Sequence, residues 1–91
     1  MLETSMETLV KEIRRDFQIP PYFKDEGLKS YIKEGEAILL PLVPSADIDT
    51  DLTYRMLLKN YVNYEYYHKV SEWRDNYSSM ILEWQLNKEV T

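Results

Sequence analysis

The chain has 91 residues and no cysteine, so it has room for one domain with one small core, and neither a disulfide framework nor a thiolate metal site can staple that core. Sixteen acidic residues against eleven basic ones give a net charge of −5, which argues against a surface that holds nucleic acid by neutralising phosphates. The opening MLETSMETLVKEIRRD alternates charge with apolar side chains, and no apolar run approaches the ~20 residues that span a bilayer, so a soluble, unexported chain is expected.

Only two glycines and four prolines punctuate the sequence, and the segments between them carry the 3.6-residue period of amphipathic helices. The expectation is an all-α domain over residues 1–91, a small bundle of about four helices. The first starts at Thr4, where Thr4-x-x-Glu7 has the pattern of a capping box. Leu2, Met6, Leu9, Val10, Ile13 and Phe17 fall in its apolar stripe, and Lys11, Glu12, Arg14, Arg15 and Asp16 occupy a solvated face. Ile19-Pro20-Pro21-Tyr22 cannot continue a helix and makes a rigid connector. Asp25 is placed to cap a second helix with the stripe Leu28, Tyr31, Ile32, Gly35, Leu39 and Leu42. A glycine on that stripe predicts a close approach by another helix or an aromatic ring at Gly35. Pro41 and Pro44 kink or end the helix.

Ser45 to Asp51 is a polar loop, with Asp49 or Thr50 expected to cap the third helix. Its Asp47-x-Asp49-x-Asp51 run resembles the start of a calcium loop, but Leu52 and Leu58 stand where that loop needs a glycine and a glutamate. The third helix, about Asp51 to Lys69, is expected to be long and apolar around its whole circumference, through Leu52, Tyr54, Met56, Leu57, Leu58, Tyr61, Val62, Tyr64, Tyr66 and Tyr67. One small core covers only part of such a helix, and tyrosine, an apolar body with a polar tip, is a residue of protein–protein interfaces. A central core helix whose hydroxyls reach water is the competing reading. Ser71 is expected to cap a fourth helix with the buried stripe Trp73, Tyr77, Met80, Ile81 and Trp84, and Glu89 to Thr91 to form a frayed end. Leu82 and Leu86 lie opposite that stripe. The candidate interface residues are therefore Tyr54, Tyr61, Tyr64, Tyr66, Tyr67, Leu82 and Leu86.

Catalytic chemistry finds little support. His68 is the only histidine, and no serine or cysteine stands in a nucleophile setting around it. Glu65, His68 and Glu72 offer one imidazole and no thiolate, a poor zinc or iron set, and two isolated glycines make no phosphate loop. The expectation is a chain that is not an enzyme and needs no catalytic residue, cofactor or metal.

Several segments carry a resemblance that reaches further. Leu57-Leu58-Lys59-Asn60-Tyr61-Val62-x-Tyr64, followed by Trp73-x-x-Asn76-Tyr77-x-Ser79-x-Ile81-Leu82-x-x-Gln85-Leu86, resembles the phage head–tail connector family, also called the QLRG family of DNA-packaging proteins. Asp16-Phe17-x-Ile19-Pro20 and Leu28-x-x-Tyr31-Ile32-x-x-Gly35 resemble its first two helices, so the likeness covers nearly the whole chain. The family's name motif is half present, since Asn87-Lys88 follows Gln85-Leu86 in place of arginine and glycine.

The resemblance implies a phage or prophage adaptor that assembles as a ring of roughly a dozen copies with cyclic symmetry. Such a ring sits at the virion head–tail junction, between the portal protein and a head-completion or tail protein, after a period in the host cytoplasm. DNA passes through it without specific binding, which suits an acidic chain. A second reading, from another class, is a small acidic binding protein, an inhibitor or antitoxin-like partner that covers a basic target with its tyrosines.

Overall fold

The computed structural model describes residues 1–89, and these form four helices: α1 (Glu3–Phe17), α2 (Asp25–Leu39), α3 (Leu52–Tyr66) and α4 (Val70–Glu89). No strand occurs among the described residues. Of the end expected to fray, Val90 and Thr91 lie outside them. No described helix is long and apolar enough to cross a membrane.

The helices alternate in direction along the chain. Arg14 of α1 meets Asp25 at the start of α2, Gly35 of α2 meets Leu58 and Tyr61 of α3, and Tyr54 at the start of α3 meets Trp84 near the end of α4. α3 packs against each of the other three, whereas α4 approaches α3 alone. The molecule is accordingly flat, 43 × 29 × 19 Å, with α3 between the α1–α2 pair on one side and α4 on the other.

That order of layers explains the composition of α3 and corrects two expectations. First, α3 is not the long element: it has 15 residues, as α1 and α2 do, while α4 has 20. It stops because His68 takes the left-handed conformation at φ 59°, so that the His68 N–H reaches the Glu65 carbonyl at 2.9 Å and the Lys69 N–H reaches the Tyr64 carbonyl at 2.8 Å. Second, half of the ten apolar residues around α3 are buried within the molecule, between helices on two sides, and Tyr54 and Tyr61, expected at an interface, are among them. Tyr54, Leu57, Leu58, Tyr61 and Val62 are all buried.

The core unites Leu9 and Ile13 of α1, Leu28, Ile32 and Leu39 of α2, Leu57, Leu58 and Val62 of α3 and Trp73 and Trp84 of α4. The approach expected at Gly35 is present. A methyl group there would lie 2.5 Å from Leu58 Cδ1 and 2.8 Å from Tyr61 Cδ1, so only glycine lets α3 come this close to α2. Leu2 and Leu42, assigned to apolar stripes, are exposed instead.

The caps differ from those expected. α1 and α2 start after Leu2 and Lys24, neither with a side-chain cap, and Thr4 lies within the first turn of α1. Asp25 accepts from the Arg14 guanidinium at 2.7 and 2.9 Å, and Asp49 accepts from the Ser5 hydroxyl, so these carboxylates serve contacts between segments rather than local helix starts. Asp51, one residue beyond the expected cap, receives the Tyr54 N–H at 3.0 Å and starts α3. Ser71 lies inside α4, not before it. The rigid connector is held by Arg14, which donates to the carbonyls of Pro20 and Phe23 as well as to Asp25, so one guanidinium fixes the turn from α1 into α2.

Candidate assembly surface

α4 is seated on α3 by its two tryptophans. The Trp73 indole N–H donates to the Leu57 carbonyl at 3.3 Å and its ring meets Tyr61 edge to face at 5.1 Å. The Trp84 indole N–H donates to Asp51 Oδ2 at 2.8 Å and its ring stacks on Tyr54 at 5.7 Å, 8° from parallel. Tyr54 and Tyr61, 2 % and 3 % exposed, are thus core residues of the single chain. Their placement at an interface is corrected: the surface they were expected to offer to a neighbour is taken by α4. The Tyr61 hydroxyl donates to Glu65 at 2.6 Å, and burial, with this bond second, pushes the phenol's pKa well up.

The other three tyrosines grade outward. Tyr64 is half-buried, its ring edge-on to Tyr77 at 6.0 Å and its hydroxyl accepting from the Asn76 amide at 3.2 Å. Tyr66 is half-buried against Phe23 and Tyr67, both ring pairs at 5.0 Å. Burial and the neighbouring Tyr22 and Tyr67 push its pKa up. Tyr67 is 57 % exposed. With Tyr22, 82 % exposed on the connector, and Phe23 stacked on Tyr31 at 5.8 Å, these rings form an aromatic patch where α3 ends. Tyr22 escaped the sequence reading, although an aromatic residue directly after two prolines, on a connector that cannot fold over it, is a recognisable sign of exposure.

A second apolar surface lies toward the opposite end. Leu82 and Leu86, 55 % and 50 % exposed, sit one turn apart on the side of α4 turned away from α3. On α3 itself Leu52 is exposed and Met56 partly so, and Met56 shares a shallow cleft with Met80 of α4. Leu52 and Met56 were legible as apolar residues of α3 but not as surface, because their exposure depends on which sides of α3 its neighbours take.

Between α1 and α3 runs a charged seam. Glu12 pairs with Arg55 and, at 3.4 Å, with Lys59, while Asp16 pairs with Lys59 at 2.5 Å. Hydrogen bonding to Arg55 is the main cause that holds the Glu12 carboxyl below its ordinary range, and hydrogen bonding to Lys59 does the same for Asp16. Among the described residues no three histidine or acidic side chains converge to hold a metal ion. No family model, curated protein or solved structure matches this chain.

Proposed function

We propose that this chain is a structural subunit of a phage or prophage head–tail connector ring, placed between the portal and a head-completion or tail protein, and that it is not an enzyme. The observation that carries the reading is the pair of separate apolar surfaces. A ring with cyclic symmetry needs two different contact faces on each subunit, one for each neighbour. The aromatic patch of Tyr22, Tyr66 and Tyr67 and the leucine pair Leu82 and Leu86 supply two such faces at a distance from each other. The resemblance of the four quoted segments to connector proteins supports it from the sequence side.

Two measurements test it. The first is electron microscopy of particles from a phage or prophage in which the coding sequence is deleted; normal tailed virions rule the proposal out, and heads without tails support it. The second compares wild type with the double variant Leu82→Glu, Leu86→Glu. Both leucines are exposed, so the variant is expected to fold with a stability change within about 0.5 kcal/mol and to fail to complement the deletion. Full complementation removes Leu82 and Leu86 from the contact.

A further inference from the structure

Three carboxylates border one cleft without a cation to answer them. The cleft, about 480 Å³, opens between the start of α1, the end of α2 and the loop before α3, and is lined by Glu36, Asp47 and Asp49, the apolar Leu40 and Ile48, and Tyr54. Asp49 accepts from the Ser5 hydroxyl at 2.8 and 3.1 Å and Asp47 from the Asp49 N–H at 2.9 Å, both neutral donors. Among the described residues no ion pair involves any of the three, and no lysine, arginine or histidine lines the cleft. Met1 also lines the cleft, and among the described residues no ion pair joins its α-amino group to any of the three.

A second feature is independent of the charges. Tyr54 is 2 % exposed and its hydroxyl is the buried side-chain polar atom without a partner among the described residues. Leaving such a group unmade costs about 1–3 kcal/mol, which a native fold tolerates where something else completes it. Tyr54 lines the same cleft as the carboxylates, and after burial itself the charge of Glu36, ahead of that of Asp51, pushes the phenol's pKa up.

We infer that this cleft binds an arginine side chain of a partner protein. A guanidinium carries five N–H donors in a fixed plane and one positive charge, enough to serve two carboxylates and the Tyr54 oxygen together. Its three-carbon stem would lie along Leu40 and Ile48. A lysine ammonium has three donors on a point charge and matches the spread of acceptors less well. A metal ion is disfavoured because the acidic side chains do not converge on a common point. None of these residues belongs to the two apolar surfaces, so the inference goes beyond the ring and stands whether or not the ring forms.

The test is read on the isolated protein, which separates its failure from that of the connector reading. ¹⁵N-labelled chain is titrated with Nα-acetyl-L-arginine methylamide and, in parallel, with the corresponding lysine derivative. Saturable shifts are expected at the amides of Glu36, Ala46, Asp47 and Asp49, with a Kd on the order of millimolar for arginine and binding at least about threefold weaker for lysine. The double variant Glu36→Gln, Asp47→Asn is expected to weaken the arginine probe at least about tenfold, and Tyr54→Phe, which removes only an unpartnered hydroxyl and keeps the fold, about threefold. Absence of saturable shifts up to about 50 mM overturns the inference. So do shifts that map elsewhere, equal binding of both probes, or unchanged binding in either variant.

Discussion

Gly35 and His68 show backbone requirements that act in opposite directions. At Gly35 the neighbours are the fully buried Leu58 and the ring of Tyr61, neither of which can swing into solvent. Alanine improves helix propensity by about 1 kcal/mol, but forcing a methyl group into a filled site costs about 1–3 kcal/mol. Gly35→Ala is therefore expected to lower stability by up to about 2 kcal/mol in urea unfolding; a raised midpoint means that the α2–α3 contact yields. At His68 and Gln18 the chain takes φ values of 59° and 51°, a conformation that costs an L-residue about 1–2 kcal/mol and glycine almost nothing. His68→Gly is expected to raise stability by about 0.5–1 kcal/mol, part of the strain being offset by the greater freedom of glycine in the unfolded chain. A loss in thermal unfolding shows instead that the exposed imidazole makes a contact of its own.

At the scale of elements, Asp51 joins two helices. It caps α3 through the Tyr54 N–H and receives the Trp84 indole N–H, with Lys88 at 3.3 Å from the same oxygen that takes the indole. Asp51→Ala removes a cap, worth about 1 kcal/mol, and leaves a buried indole donor unpaired, worth about 1–3 kcal/mol. A loss of about 2–4 kcal/mol is expected in chemical denaturation. The helices themselves were legible from period and punctuation, including the break at Pro20 and Pro21, the close approach at Gly35 and the two buried tryptophans of α4, though Tyr77, Met80 and Ile81 of the expected stripe are only partly buried. The caps were not, because Asp25 and Asp49 have acceptor groups that look local in sequence yet serve Arg14 and Ser5 across the fold. The candidate interface was half legible. Hydrophobic period tells that α3 is apolar on several sides, but not that α4 takes the side bearing Tyr54 and Tyr61, and so those two read as surface.

For the molecule as a whole, acid is the expected weak point. Glu12, Asp16 and Asp51 have folded-state pKa values below their ordinary 4.5, 3.8 and 3.8. For Asp51 burial pushes the other way, and the hydrogen bonds from Trp84, the Tyr54 amide and Lys88 together outweigh it. A depressed carboxylate contributes stability in full above its unfolded value and loses it as pH falls through the folded one. The midpoint of thermal unfolding should therefore be level between about pH 5 and pH 9 and fall below about pH 4, with Glu12→Gln flattening part of that fall. A midpoint that rises on acidification contradicts the seam between α1 and α3. The lamination that places α4 outside α3 also has an optical consequence. Both tryptophans of the chain belong to α4, and each ring rests on a tyrosine of α3. Emission from this protein is thus a gauge of one event, the seating of its outermost helix. A fluorescence transition that precedes loss of helical circular dichroism would reveal α4 leaving while the α1–α3 layer stays folded.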